Sequence, residues 1–254
     1  MIDPRDIAIK RRLEKIEKII AFLSGKGGVG KSIITALSGI ILSRKFNVGI
    51  LDLDLHGPVI PTILGVENYE YEEDKHGLIP LNIDGLKIMS IEFFVKNRPL
   101  PLRGSSKTEV FKEIMAITNW DKLSYLLIDM PPGTGDEILD LIRVMRNRGK
   151  AIVITTPSIA SQRVLERVLK LMIDSGFPVI GVIENMSYIE VEGNRIELFG
   201  KSRTKGLVEK YGLKFLGKLP FDKDLECAYG NIDKLKKTRL AKQLIQIVNN
   251  ILSS

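Results

Sequence analysis

Residues 24–32 read SGKGGVGKS and follow directly on the apolar run Ile19 to Leu23. From Gly25 to Ser32 they fit the pattern G-x-x-x-x-G-K-[ST], placed where its mechanism needs it, between a strand and the start of a helix. Gly25, Gly27, Gly28 and Gly30 have no Cβ to obstruct, so consecutive backbone N–H groups on either side of Val29 are free to turn inward on a phosphate at the helix N-terminus. Lys31 is then placed to reach β- and γ-phosphates, and the Ser32 hydroxyl to ligate Mg2+. The chemistry implied is binding and hydrolysis of a nucleoside triphosphate. A phosphate loop needs one lysine, yet Lys26 stands five positions before Lys31.

Such a loop also needs a carboxylate at the end of a neighbouring strand to organise the metal. The run YLLIDMPPGTGD offers Asp129 after four apolar residues, and the proline-glycine turn behind it is suited to rearrange when a γ-phosphate leaves. In GILDLDLHGPVIP, Asp52 and Asp54 end another apolar strand. Two positions apart in an extended chain, they point to one side. Asp54 is the residue expected to orient an attacking water, and Asp52 to support either the metal shell or the backbone of the phosphate loop. The bland alternative for any of these aspartates is a strand-end cap or turn residue. His56 has neither a second histidine nor a nucleophile pattern beside it and reads as an ordinary loop residue. Cys227, in LECAYG, lacks a neighbouring histidine and reads as a buried or half-exposed structural thiol.

The elements that must hold these residues are legible as apolar runs: Ile19 to Leu23, Val48 to Leu53, Leu86 to Ile91, Tyr125 to Met130, Ala151 to Thr155, Val179 to Ile183 and Lys214 to Leu216. Strands so uniformly apolar are buried on both faces, which predicts a parallel sheet between helices. Segments with apolar residues at three- and four-residue spacing lie between them: Ser32 to Arg44, Thr108 to Ala116, Glu137 to Arg146, Ile159 to Asp174, Lys205 to Lys210 and Lys236 to Ile251. Repeated βα units predict a doubly wound, mostly parallel α/β sheet flanked by helices, a P-loop NTPase fold whose site forms at the carboxyl ends of the strands. The stretch Ile2 to Lys18 reads as a short amphipathic leader helix without chemistry, and Glu67 to His76 as a flexible surface loop. The whole of 1–254 reads as one domain, with no repeat and no linker.

Composition narrows the class. At 254 residues, 44% hydrophobic and 27% charged, the chain suits a single large α/β domain. No run of 18 apolar residues occurs and the first residues are charged throughout, so a soluble, cytoplasmic protein is expected. One cysteine cannot close an intramolecular disulfide, and it falls short of the several thiolates that a zinc or iron-sulfur site takes from a chain. The net charge of +7 is all in the last quarter: from Arg195 onward there are 13 Lys and Arg against 6 Asp and Glu. That excess is either a solvated surface or a docking face for an acidic client, nucleic acid or an anionic lipid surface. Few aromatic residues interleave it, which argues against nucleic acid.

Taken together, SGKGGVGKS, LDLDLHGPVIPTILG, LLIDMPPGTGDE, ITTPSIAS and GVIENMSY resemble the MinD/ParA-type ATPases with a deviant Walker A loop, and within them the Mrp/ApbC branch of iron-sulfur cluster carriers. The motifs run in the family's order from Ile19 to Pro220. The resemblance implies ATP and Mg2+ as ligands, with Asn185 of ENMS contacting adenine beside a loop at Leu219 to Phe221; a strand-end asparagine closing a turn is the competing reading. It also implies a homodimer across the nucleotide, in which Lys26 touches the phosphates held by the partner chain, as an arginine finger does.

The sequence departs from that family in two places. Family members that carry a cluster have a C-x-x-C pair shortly after ENMS, whereas this chain reads ENMSYIEVEGNRIELFGKS, with Tyr188, Glu190, Glu192 and Asn194 and no cysteine. Val59 stands where the family has the serine of GPS. The expectation is therefore a dimeric, slow switch ATPase of iron-sulfur assembly, with an iron-sulfur cluster not expected on this chain alone. Two rivals stay open: a non-enzymatic, nucleotide-gated scaffold for iron-sulfur assembly proteins, and a positioning ATPase that binds membrane or DNA. The last rests on Leu240, Leu244, Ile247, Val248 and Ile251, which share one face of the final helix; core packing accounts for the same stripe.

Overall fold

The structure is a computed structural model, and it describes residues 3–55, 57–66, 69–97, 107–145 and 148–252. In chain order the elements are α1 (Pro4–Leu13), β1 (Ile16–Ser24), α2 (Lys31–Leu42), β2 (Val48–Asp52), α3 (Ile60–Leu64), β3 (Glu72–Asp74), β4 (Gly77–Ile79), β5 (Leu81–Ile83) and β6 (Leu86–Ser90). There follow α4 (Glu92–Asn97), α5 (Lys107–Ile117), β7 (Leu123–Asp129), α6 (Asp136–Met145), β8 (Gly149–Thr155), α7 (Ile159–Asp174) and β9 (Val179–Val191). The chain ends with β10 (Asn194–Ile196), α8 (Thr204–Lys210), β11 (Phe215–Pro220), a 3-10 turn at Glu226–Ala228, α9 (Ile232–Lys237) and α10 (Arg239–Leu252).

One sheet runs in the order β10-β9-β8-β1-β7-β2-β6-β5, with β11 also paired to β9. Its centre, β9-β8-β1-β7-β2-β6, is parallel throughout, and only β5 and β10 join antiparallel. Alternation along the central strands divides the core in two. Ile19, Ala21 and Leu23 of β1, Leu126 and Ile128 of β7, and Ala151 and Val153 of β8 face a layer built from α1, α5, α6, α7 and α8. Ile20 and Phe22, Tyr125 and Leu127, and Ile152 and Ile154 face the opposite layer, built from α2, α3, α9 and α10. This is why those strands read as unbroken apolar runs: with helices on both faces, neither parity of residue meets water.

The doubly wound architecture expected from the runs is the one observed, while several boundaries differ. The leader helix stops at Leu13, and Ile16 to Lys18 already belong to β1, where Ile16 pairs with Leu123. The stretch Glu67 to His76 is not wholly a loop, because Glu72–Asp74 forms a hairpin with Gly77–Ile79. The strand expected to end at Ile183 runs to Val191, and the one expected at Lys214 to Leu216 spans Phe215–Pro220. The last helix is two, broken at Thr238, whose backbone is extended (ψ 153°). Leu240, Leu244, Ile247 and Val248 of α10 are buried in the core, so that stripe packs against the sheet rather than facing outward. Among the described residues no helix is long and apolar enough to cross a membrane.

Candidate functional site

The carboxyl ends of β1, β7 and β2 lie side by side, with Phe22 level with Asp129 and Asp129 level with Asp52. Open α/β sheets place ligands at this edge. Here the chain leaves β1 through 25–30 and enters α2 at Lys31, so the first turn of that helix faces the ends of two neighbouring strands. Gly30, which caps α2, has φ 83° in the left-handed region, and a Cβ on it would sit 2.3 Å from Asn185 Nδ2. Only glycine meets both conditions. Gly25 answers to a different constraint, since a Cβ there would come within 2.3 Å of Val164 on α7.

Around the loop lies a cavity of about 380 Å³ lined by residues of the loop together with Asp54, Val59, Ile63, Pro132 and Tyr229. At its floor Lys31 is buried, with Nζ 2.8 Å from Asp129 Oδ1 and 3.9 Å from Asp54 Oδ2. Asp129 is fully buried and accepts two further hydrogen bonds, from the Ser32 hydroxyl at 2.6 Å and from the Thr35 hydroxyl at 3.0 Å. A buried carboxylate with three donors, one of them cationic, is compensated for its lost hydration. The lysine that faces the loop is thereby held on a strand-end carboxylate.

Asp52 and Asp54 do not share one environment, although both belong to the end of β2. Asp54 lines the cavity, while Asp52 lies behind it, wholly buried, its Oδ1 accepting the Asp54 amide at 3.2 Å and its Oδ2 the Ser90 hydroxyl at 3.1 Å. Burial, and then the charge of Asp129, push the Asp52 carboxyl up to about 8. Asn185 is buried, and its Nδ2 donates to the Val29 carbonyl at 2.9 Å, tying β9, just past the end of its pairing with β8, to the phosphate loop. Its Oδ1 is buried and has no hydrogen-bond partner among the described residues, an acceptor still to be satisfied. Lys26 lines the cavity half-buried, and among the described residues its ammonium has no ion-pair partner.

Three participants escaped the reading of the sequence. Thr35 lies four residues after Lys31 on α2, whose carbonyl its hydroxyl also meets at 3.1 Å; that helical spacing was a usable signal. Ser90 reaches Asp52 only through strand register, and Tyr229 reaches the cavity from beyond β11, so neither had a local signal. His56 lies outside the described residues. Cys227 is exposed, which corrects the expectation of a buried or half-exposed thiol: it sits on the 3-10 turn after β11 and packs into neither core layer. Among the described residues no group of three or more His, Cys, Asp or Glu is arranged to hold a metal ion.

Comparison with known proteins gives this arrangement a family. Residues 15–253 match the family model described as ParA, NUBPL iron-transfer P-loop NTPase. An iron-sulfur cluster carrier protein from Pyrococcus furiosus is 37% identical over 236 residues, covering 87% of this chain and 80% of the relative. The cytosolic Fe-S cluster assembly factor CFD1 of Mycosarcoma maydis is 36% identical over 258 residues, covering 95% of this chain and 72% of the relative. Among solved structures, a nucleotide-binding protein from Archaeoglobus fulgidus in complex with ADP superimposes with a TM-score of 0.76 at 34% identity, over 94% of this chain and 93% of that one. The septum site-determining protein MinD from Pyrococcus horikoshii, complexed with Mg-ADP, shares the fold at a TM-score of 0.63 and 21% identity, over 92% of this chain and 95% of that one. This chain belongs to the NUBPL iron-transfer family of P-loop NTPases.

Proposed function

We propose that the protein is a Mg2+-dependent ATPase of iron-sulfur cluster assembly whose working form is a homodimer closed across the nucleotide. The observation that carries the reading is the Lys31–Asp129–Ser32 constellation at the mouth of a glycine loop. It joins a phosphate-facing ammonium to a hydroxyl and a carboxylate that present only oxygen toward a metal. Such a set suits a hard cation that keeps waters and takes its remaining ligands from phosphate. Ser32 and Asp129 would hold Mg2+, with Asp52 supporting them from behind. Bound there, the ion would neutralise charge on the β- and γ-phosphates.

The chain's own groups divide the rest of the work. Backbone N–H groups from Gly25 to Ser32 cradle the phosphates, and Lys31 exchanges part of its contact with Asp129 for the phosphate oxygens. Asp54, at the cavity wall, orients the attacking water. The unsatisfied Asn185 Oδ1 accepts the exocyclic amino group of adenine, a donor that guanine does not offer at that position. Lys26, half-buried and without an ion-pair partner among the described residues, crosses to the partner's phosphates, where negative charge builds in the transition state.

Titration with a fluorescent ATP analogue, set beside steady-state hydrolysis, tests the reading. Lys31→Ala is expected to weaken nucleotide binding by on the order of a hundredfold, and Lys26→Ala to leave binding within about twofold while lowering kcat by about a hundredfold or more. Equal loss of binding in both variants would remove the role given to Lys26. Unimpaired binding in Lys31→Ala would remove the phosphate site itself.

A further inference from the structure

The structure assigns Tyr71 as a positioning residue for Asp54, acting through Ser90 and Asp52; this rests on the reading of Asp54 as the water-orienting group. Tyr71 lies outside every motif and is remote in sequence from the loop, yet its phenol grips both backbone polar groups of one residue. The hydroxyl donates to the Ser90 carbonyl at 2.8 Å and accepts the Ser90 amide at 3.3 Å. Ser90 is the last residue of β6, level with Asp52, and its side-chain hydroxyl donates to Asp52 Oδ2 at 3.1 Å. Asp52 Oδ1 accepts the Asp54 amide, and Asp54 enters the cavity. An unbroken chain of hydrogen bonds therefore runs from the phenol to the backbone of the residue facing the reacting centre.

The chain is built to hold position. Ser90 and Asp52 are fully buried, so water offers no substitute partner at either link. The Tyr71 ring is fixed by aromatic neighbours, with centroids 4.9 Å from Phe94, 5.4 Å from Phe93 and 5.3 Å from Tyr69. Two of them, Phe93 and Phe94, are themselves buried. β6 contributes no other polar side chain to this end of the sheet, so the phenol's hold on the Ser90 backbone and the Ser90 hydroxyl's bond to Asp52 add to the backbone ladder there. A misplacement of about 1 Å at a water-orienting carboxylate is enough to cost on the order of a hundredfold in rate. A hydroxyl removed two links away is expected to cost less.

Three variants decide it: Tyr71→Phe, Ser90→Ala and the double variant. Tyr71→Phe is expected to lower kcat about tenfold while nucleotide affinity, measured by fluorescent-analogue titration, stays within about twofold. Ser90→Ala should match it, and the double variant should fall no further than the worse single variant, because both break one chain. Wild-type kcat in Tyr71→Phe or additive losses in the double variant would each overturn the assignment. Asp54→Asn separates this outcome from a failure of the underlying reading: if that variant still hydrolyses ATP at the wild-type rate, Asp54 itself is misassigned.

Discussion

Asp52 is a carboxylic acid placed where its charged form is costly. It has no exposed surface, its neighbour across the strand pair is the carboxylate of Asp129, and its carboxyl is raised from 3.8 to about 8. The folded chain therefore keeps a proton that the unfolded chain gives up. The stability this supplies is complete below about pH 4 and is lost as pH climbs through about 8. Nucleotide-free protein is expected to melt at a lower temperature at about pH 9 than at about pH 6, and Asp52→Asn, which puts a neutral amide in the same place, should flatten that part of the profile. An unchanged profile in Asp52→Asn would mean that the carboxyl is already ionised at neutral pH. The proximity of Lys31, Ser32 and Asp129 could be anticipated from local pattern, because the loop, the helix start and a strand ending in aspartate each announce themselves. Separate roles for Asp52 and Asp54 were also legible, but the complete burial of Asp52 was not. Period-two geometry puts them on one side, but their environments are decided by Ser90, thirty-eight residues on and visible only through strand register.

The strands were readable for a physical reason, since two-sided burial writes itself as an apolar run, whereas elements that lean on one neighbour left little trace. Thr238, extended between α9 and α10, interrupts an amphipathic pattern that continues through it. The β9–β10 hairpin was also missed: β9 continues beyond its pairing with β8, which ends at Glu184, and turns through Glu192 and Gly193, both at positive φ (50° and 80°). This hairpin occupies the segment where the resemblance places a cysteine pair. Its sequence instead supplies an Arg195–Glu190 pair at 3.1 Å and a guanidinium of Arg195 stacked 4.5 Å over the Tyr188 ring. Carboxylate and guanidinium are poor substitutes for thiolates as ligands of an iron-sulfur cluster. Anaerobic reconstitution with iron and sulfide is accordingly expected to leave well under one cluster per dimer, read by visible absorbance and iron content, with Cys227→Ser no different from wild type. A stoichiometric cluster would show that this hairpin's chemistry has been misread.

At the scale of the whole molecule the unresolved charge is Lys26. Lys31 is explained inside one chain, where Asp129 neutralises it at 2.8 Å. Lys26 lines the same cavity without an ion-pair partner among the described residues, on the sheet edge proposed for the nucleotide. An ammonium kept half-buried and uncompensated is a modest cost to a monomer, and it becomes an asset once a second, phosphate-bearing chain faces it. In the proposed dimer the interaction would be reciprocal, each chain's lysine meeting its partner's nucleotide, so that assembly and γ-phosphate occupancy would be thermodynamically linked. Light scattering should accordingly read the mass of one 28.5 kDa chain with ADP and twice that with Mg2+ and a non-hydrolysable ATP analogue. Lys26→Ala should shift the nucleotide-dependent dimerisation midpoint to higher protein concentration by about tenfold or more, as expected for a lost charge-assisted contact made twice per dimer. A mass that stays at one chain with the analogue at saturating concentration would exclude closure across the nucleotide. A dimer of equal strength in wild type and Lys26→Ala would keep the closure but move its energy to some other surface of the chain.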